Sequence, residues 1–481
     1  MNSQRDAGST VGPYRVVVAT GFGVFLSALD SSIVNVSLWT MATEFKVEMD
    51  AIQWVITAYL LILTSLMPLA GKVGDRHGKT KVFKSGVGLF TFGSLACALS
   101  PTLELLVAAR VFQAIGASMM TANGLALITY FTTPETRGRA MGLNSIILAA
   151  ALGFGPVLGG VLTQYFGWES IFLVNIPVGI IGFATVAWLI PETSPVHETK
   201  FDTVGALMFF VSLFSLVYAV SVATRAHAVV MGVSVAVCIV SFAGLLVREK
   251  RFVSPIIPTR VLADRRIWVS LASALLSFMA VIPVSFLMPF YLQEAMGFTQ
   301  SITGIFLVIH PLVLSVTGPL AGLISERVNA RLQTVVGLAI QLAGLMSLAF
   351  ALPNLLFMAV SIAVMSFGLS IFTVANGNFV MTSAPRDYMG VVSALTNISR
   401  TTGFSVATAL ATSVFRLFFG TLYGGGSQQY FWAYTEAVQY TIWFFCVFAL
   451  VACVISAFRG LSPAEEKREA AEKPPIPLVP A

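Results

Sequence analysis

Ionisable side chains stand inside the apolar runs of this sequence, and their types could carry chemistry. Asp30, Arg110, His310 and Arg400 each lie within such a run. A charge in hydrocarbon is costly, so each residue is a functional candidate that needs a partner. A surrounding of low polarity favours the protonated form of a carboxyl group, which makes Asp30 a candidate proton carrier. The alternative is that Asp30 is a hydrated hydrogen-bonding group near the end of its helix.

The arginines and the histidine also leave alternatives open. Arg110 and Arg400 keep their charge and therefore have to be paired or hydrated. Arg110 could instead extend its long side chain to the membrane surface, and no acidic partner for Arg400 is evident in the later runs. His310 could transfer protons or contact a substrate. It could equally be a hydrogen-bonded core residue beside the helix kink at Pro311.

Membrane-spanning helices are the elements that must position these residues. The chain has 481 residues, of which 57% are hydrophobic and 10% are charged, and its mean hydropathy is +0.86. A soluble domain has about a quarter charged residues, so this composition predicts an all-α polytopic membrane protein with 14 transmembrane helices. The apolar runs are 14–39, 51–71, 83–100, 103–130, 139–166, 169–190, 204–223, 228–247, 267–292, 302–325, 332–352, 355–383, 389–419 and 437–458.

Lysine and arginine are distributed unevenly over the loops between these runs. With the N-terminus inside, 23 of the 28 basic residues lie on the inner side, whereas only Lys46 and Arg225 lie on the outer side. The positive-inside rule then predicts a multi-pass protein of a bacterial-type inner membrane with both termini in the cytoplasm. The cations are spread over many loops, which favours contact with lipid headgroups and excludes a nucleic-acid-binding surface.

Two short sequences recur at an offset of 251 residues. PLAG occurs at 68–71 and again at 319–322, and the Thr133–Pro134 step before the fifth run returns as Ala384–Pro385. The offset spans eight runs and not six, which predicts two pseudo-symmetric six-helix bundles and a two-helix insert. An internal repeat of this kind is typical of transporters that rock one half against the other.

The repeat also predicts the domain organisation. The expected units are an N-terminal six-helix bundle at 1–190, a linker with two inserted helices at 191–266, a C-terminal six-helix bundle at 267–458 and a disordered cytoplasmic tail at 459–481.

The charged loop after the first PLAG predicts a conformational latch. Its glycines allow two helix ends to approach and the chain to turn tightly, and Asp75 is placed to pair with Arg137 of the neighbouring inner loop. The alternative is a loop whose charges only set topology. A phosphate-binding loop is excluded, because it needs four residues between its glycines and a preceding strand. The predicted latch residues are Gly71, Asp75, Arg76, Gly78, Arg137, Glu326 and Arg327.

Several stretches resemble the motifs of a known family. PLAGKVGDRHGKTKV is similar to the signature loop of the major facilitator superfamily. LDSSIVNVSL, QWVITAYLL, RVFQAIGAS, GFGPVLGG and WESIFLVNIPVG resemble the motifs of its fourteen-span drug–proton antiporter family. The match is dense over the first six runs, and the second half matches through the repeat and the number of runs.

The resemblance implies roles for particular residues. It implies that Asp30 and Arg110 take part in proton coupling, with Asp30 or Gln113 as the partner of the arginine. It also implies that the fifth helix, kinked by proline and closely packed through small residues, accompanies antiport. Ala151 departs from the family pattern, which prefers glycine there. The antiporter-helix residues are Gly155, Pro156, Gly159 and Gly160.

Polar and aromatic side chains within the runs are candidates for lining a substrate cavity. The alternative is that they join neighbouring helices or pack in the core. The candidates are Asn35, Gln53, Trp54, Tyr59, Gln113, Asn123, Gln341, Asn376, Asn378 and Arg400.

These features together predict a secondary transporter that exports amphipathic or hydrophobic compounds in exchange for protons, as in multidrug efflux and antibiotic resistance. The alternative is a proton-linked transporter of one specific metabolite, which could be anionic. The expected partners are a small-molecule substrate, protons and the lipid bilayer. We expect a monomer, and a periplasmic adaptor is conceivable.

No cofactor is expected, because a proton gradient would supply the energy. No metal site is expected either, since the four cysteines lie in apolar runs without CxxC spacing. An enzyme is not expected, because the sequence contains no HExxH or GxSxG motif.

Overall fold

The computed structural model describes residues 13–132, 134–193, 202–222, 228–252, 264–325, 328–384, 389–423 and 427–460. Within these ranges the chain forms fourteen helices, where a helix broken by a short turn is counted as one, and no strand. They are α1 (Pro13–Phe45), α2 (Met49–His77), α3 (Lys79–Ala98), α4 (Leu103–Phe131), α5 (Pro134–Phe166), α6 (Ser170–Leu189), α7 (Thr203–Val222), α8 (Ala228–Glu249), α9 (Arg265–Ala295), α10 (Gln300–Ser325), α11 (Ala330–Ala351), α12 (Leu355–Ser383), α13 (Met389–Leu422) and α14 (Ser427–Ala457).

Over the described residues, thirteen of these helices are long and apolar enough to cross a membrane. The remaining helix, α3, has 20 residues, but Lys79, Lys81 and Lys84 in its first turns lower its hydropathy. The predicted all-helical membrane fold is confirmed. The agreement has a physical reason, since a backbone in hydrocarbon has to satisfy its hydrogen bonds within its own helix.

The helices pack most closely within the first six and within the last six. Among α1 to α6, α4 packs along α3, α2 and α1, and α5 packs along α1. Among α9 to α14, α11 packs along α12 and α14, and α9 lies against α13 and α14. The two sets touch where α5 meets α10 and where α2 meets α13.

The helices α7 and α8 lie at the side of this arrangement. Helix α7 packs against α2 and α13, while α8 packs against α7. Leu61 of α2, Leu213 and Val217 of α7 and Ala409 of α13 form one buried apolar cluster. Asp202, just before α7, accepts a 2.6 Å bond from Arg248 near the end of α8. The contacts therefore place α7 over the seam between α2 and α13.

Helix α9 departs from a regular α-helix in its second part. It contains two π-helical segments, Pro283–Leu287 and Tyr291–Ala295. The prolines 283 and 289 lack backbone donors, which interrupts the regular hydrogen-bond ladder, and π-helical turns recur at functional positions. The apolar run at 267–292 predicted the span but not this change of helix type.

Candidate functional site

Asp30 of α1 is the centre of a buried polar network. Arg110 donates from Nη1 to Oδ2 of Asp30 at 2.6 Å. Gln113 and Asn175 donate from their side-chain amides to Oδ1 at 3.0 and 3.1 Å. The exposed fraction of the side chain is 0% for Asp30 and 1% for Arg110. Both charges are thus paired with each other, and the carboxylate accepts two further hydrogen bonds.

Arg110 is held by several further groups. Its Nε donates to the carbonyl of Val55 at 3.0 Å, and its Nη1 donates to Oε1 of Gln113 at 2.7 Å. The guanidinium carbon lies 4.0 Å from the ring centroid of Tyr59, in cation–π contact. Gln113 in turn donates to Oγ of Ser94 at 2.8 Å. Five helices, α1, α2, α3, α4 and α6, therefore meet at one ion pair.

The ion pair ties together the helices that meet at it. A buried pair of opposite charges is stable only while both partners are present, because a single charge left behind is costly. A proton on the carboxyl of Asp30 would remove one charge and free the guanidinium of Arg110 to seek another partner. Since Arg110 lies seven residues into α4, the pair is about two turns from the end of that helix.

The structure brings Arg110 together with both of the partners predicted for it, Asp30 and Gln113. Asn175 was not singled out from the sequence. It lies in the stretch WESIFLVNIPVG, and an amide inside an apolar run is the signal that could have identified it.

The glycines of α5 allow a close approach to α1. A Cβ atom at Gly155 would overlap the hydroxyl of Ser32, and one at Gly159 would lie 2.6 Å from the carbonyl oxygen of Ile33. The predicted close-packed face of α5 is therefore directed at α1.

The next part of α5 packs against α10 of the second half. A Cβ atom at Gly160 would overlap the carbonyl of Gln300, and one at Gly304 would overlap the carbonyl of Pro156. The amide of Ser301 also donates to Oε1 of Gln164 at 3.1 Å. The two helix backbones touch here without intervening side chains.

These contacts lie at the end of the bundle that holds the α1–α2, α5–α6, α9–α10 and α13–α14 connections, which we call the cation-poor end. Two further hydrogen bonds join the halves there. Gln293 donates to the carbonyl of Val36 at 2.9 Å, and Gln300 donates to Oγ1 of Thr40 at 3.1 Å. The cation-poor end is therefore closed by contacts that α1 and α5 make with α9 and α10.

Helix α13 closes the same end against α2. Thr412 donates to Oε1 of Gln53 at 2.7 Å. Arg416 contacts Asp50 at 2.6 Å and Glu48 at 3.5 Å. Gln53 thus joins the two halves, and the acidic partners of Arg416, which the sequence did not reveal, come from the start of α2.

The predicted latch loop lies at the opposite end. Asp75 is paired with Lys79, four residues on. Gly78 has φ +95°, and a Cβ atom there would lie 2.6 Å from the carbonyl oxygen of Thr193, so the turn requires glycine. Gly71 packs next to Ala122.

Arg76 is exposed in this structure. The side chain of Arg137 and the residues Glu326 and Arg327 lie outside the described part of the chain. The pairing of Asp75 with Arg137 therefore stays a prediction.

Three of the candidate cavity residues join neighbouring helices. Asn123 donates to the carbonyl of Ala70 at 3.1 Å. Gln341 exchanges two hydrogen bonds with Ser277, at 2.7 and 2.9 Å. Asn376 accepts a bond from Arg459. Such amide contacts stabilise helix packing in a membrane.

The other candidates have more local contacts. Asn35 donates to the carbonyl of Ser31 in its own helix at 3.5 Å, and the ring of Trp54 lies 6.3 Å from that of Tyr218 in α7. Asn378 is exposed and donates to Oγ of Ser325 at 3.0 Å. These contacts do not by themselves mark a binding site.

His310 and Arg400 lie within helices of the second half. Nδ1 of His310 is 2.8 Å from Oγ of Ser366, which makes it a hydrogen-bonded residue between α10 and α12. Arg400 is half-buried in α13. Neither contacts the Asp30 network, so the structure does not gather the predicted proton-coupling residues at one place.

Fold and site together define a multi-pass helical transporter. The model of the Major Facilitator Superfamily matches residues 20–408, and the chain belongs to that family. It is therefore a membrane-embedded transporter of a small-molecule substrate and not an enzyme.

Two similar relatives and one solved structure illustrate the range of the family. The riboflavin transporter RibZ of Clostridioides difficile (strain 630) is 28% identical over 445 residues, which cover 92% of this chain and 96% of the relative. The multidrug resistance protein Stp of Mycobacterium tuberculosis (strain ATCC 25618 / H37Rv) is 30% identical over 405 residues, covering 83% and 75%. A bacterial homologue of the human lysosomal transporter Spinster, in an inward-facing and unoccupied conformation, superposes with a TM-score of 0.68 at 18% identity, covering 93% and 97%.

Proposed function

We propose that this protein exports small amphipathic or hydrophobic compounds in exchange for protons, by alternating access. The observation that carries the proposal is the buried pair of Asp30 and Arg110, on which five helices of the first half converge. A carboxyl group inside a membrane span has a high desolvation cost, so we expect it to have a function. Proton exchange at Asp30 supplies one, because it would change the packing of all five helices.

The closed cation-poor end supports alternating access. In the orientation that the basic residues predict, both termini are cytoplasmic and this end faces outward. The outer gate is then closed by α5 against α10 and by Arg416 of α13 against Asp50 of α2. We assign the two sets of six helices as the units that rock, with α7 and α8 as the insert.

The proton acts in our proposal by competing with Arg110 for Asp30. A proton that enters from outside would neutralise Asp30 and release the arginine, and its departure to the inside would restore the pair. The glycine face of α5 supports the same cycle, because it packs α5 directly against both α1 and α10. The fourteen-span drug–proton antiporter family is the subfamily we propose, with no cofactor besides the gradient.

A second candidate function is the transport of one specific metabolite. The observation that favours it is the similarity to RibZ, which is named a riboflavin transporter and aligns over 92% of this chain. Similarity to Stp, named a multidrug resistance protein, favours the broader substrate range. A panel of chemically unrelated fluorescent compounds distinguishes the two, because a specific transporter would move one of them at most.

Purified protein in proteoliposomes tests the proton exchange. An inward-directed substrate gradient should alkalinise the lumen only when protein and substrate are both present, and an imposed pH gradient with an acidic lumen should accumulate the substrate. The variant Asp30→Asn should lose accumulation but keep binding. Accumulation that is equal with and without a pH gradient and a membrane potential would overturn proton coupling. A reporter fused to either terminus checks the cytoplasmic location.

A further inference from the structure

Arg110, Arg400 and Arg416 lie within the spans and not at the inner loops, and two of these three have acidic partners. Arg110 contacts Asp30 at 2.6 Å, and Arg416 contacts Asp50 at 2.6 Å. Arg400 has neither a hydrogen bond nor an ion pair with any residue in the described part of the chain. It lies eleven residues into the 34-residue helix α13, which is about 16 Å from its start and about a third of the way along the helix.

The partial exposure of Arg400 is toward the interior of the helix bundle. From 395 to 415 α13 has no fully exposed residue, so this stretch does not face lipid. On one side it is covered by α7, since Ile398 and Leu395 share a buried cluster with Phe209. Arg400 points away from that side. It follows Ile398 by two positions, which is a rotation of about 200° around the helix axis.

The side of α13 that carries Arg400 is shared with Phe404, one turn further on. The ring of Phe404 lies 5.6 Å from that of Phe278 in α9, and it packs against the apolar cluster that contains core residues of the first half. Arg400 is therefore placed beside an aromatic, apolar surface where the two halves adjoin, below the closed outer gate.

A guanidinium in this position requires a compensating negative charge. It cannot lose its proton under physiological conditions, and an unpaired charge in a helix bundle is unfavourable. Its planar donors match the oxygens of a carboxylate or another oxyanion. The neighbouring phenylalanine rings match the apolar part of an amphipathic molecule.

We propose that Arg400 is a substrate-binding residue and that the transported compounds carry an acidic group on an apolar body. This inference rests on the proposed export function and narrows it to amphipathic anions. It has an electrical consequence, since an anion that leaves and a proton that enters move charge in the same direction. A membrane potential that is negative inside would then drive export without any pH gradient.

Matched probes test the proposal. Everted vesicles or proteoliposomes are given an aromatic dye that carries a free carboxylate, its uncharged methyl ester and a cationic dye of similar size. The variants are Arg400→Gln, Arg400→Lys and the control Arg331→Gln, which removes an exposed charge at the start of α11. We expect wild type to prefer the acid over the ester about tenfold. Arg400→Gln should lose that preference, Arg400→Lys should keep part of it, and Arg331→Gln should retain it.

Binding to purified protein separates this inference from the export function. The acid should raise the melting temperature of wild type, more than the ester does, and should not do so for Arg400→Gln. Melting without ligand shows whether the variant is folded. If no probe is transported but the acid stabilises wild type through Arg400, the export function fails and the binding site stands. A preference for the acid that survives in Arg400→Gln, or equal binding of acid and ester by wild type, overturns the inference.

Discussion

Gly304 of α10 lies directly against the carbonyl group of Pro156 in α5, and no side chain fits between them. The contact is backbone on glycine, so neither partner can move aside by changing a rotamer. It joins the two halves of the transporter at the cation-poor end.

The variant Gly304→Ala should therefore open this end. An added methyl group in a tight contact costs about 1–3 kcal/mol, which would shift the balance between the two conformations about 5- to 150-fold. The rate of transport in proteoliposomes should fall, while expression stays normal. Gly322→Ala is the control on the same helix, because no atom lies within 4 Å of a Cβ there. Equal transport by both variants would show that the contact does not limit the cycle.

The buried pair of Asp30 and Arg110 should show strong coupling in a double-mutant cycle. Removal of one partner leaves an uncompensated charge, so Arg110→Gln should destabilise the protein by about 3–5 kcal/mol. Asp30→Asn with Arg110→Gln should cost clearly less than the sum of the single changes. The measurement is thermal or denaturant unfolding in detergent. Additive effects would mean that the two charges do not compensate each other.

Arg416 should stabilise the closed cation-poor end only modestly. Its side chain is 45% exposed, and exposed ion pairs contribute about 0.2–1 kcal/mol. Arg416→Ala should increase the labelling of a cysteine introduced at Thr40 by a membrane-impermeant thiol reagent. High salt should have the same effect on wild type but little on the variant, because salt screens the pair. Lys46→Asn is the control, because it removes another positive charge at this end. Equal labelling of the Arg416→Ala and Lys46→Asn variants would contradict the role of Arg416.

Asp75 should exchange Lys79 for Arg137 when the end of the bundle that holds the predicted latch loop closes. Asp75→Asn should slow transport with little loss of stability, since the pair is partly exposed. Cysteines placed at 75 and 137 should cross-link more readily in the Gly304→Ala background, in which the cation-poor end opens. Glu192→Gln is a matched control, because it removes an exposed acid that lies 3.6 Å from Lys84 at the same end. Cross-linking that is unchanged by Gly304→Ala would contradict the exchange.

The helix positions could be predicted because the bilayer imposes one rule on every span. Each apolar run has to be long enough and has to form a helix. The partners of Arg110 could also be anticipated, because a buried arginine has to be paired and the family resemblance implied Asp30 or Gln113. In these cases general energetics leave few choices.

The contacts between the halves could not be predicted in the same way. Asp50 and Glu48 look like ordinary loop acids, and their partner Arg416 is more than 360 residues away in the chain. The sequence does not show which sides of the helices contact each other. Amides such as Gln293 and Gln300 therefore could not be distinguished from the other amide side chains of the chain. The π-helical segments of α9 have no pattern of their own besides their prolines.

The position of α7 makes the two sides of the transporter unequal. It fills the seam between α2 and α13, where Ser413 donates to the carbonyl of Val220 at 3.1 Å. Phe154 of α5 and Ile305 of α10, in the helices that form the opposite seam, are 58% and 59% exposed. A hydrophobic molecule dissolved in the bilayer therefore meets the extra helix α7 at one seam, whereas at the other seam it meets the side chains of α5 and α10 themselves.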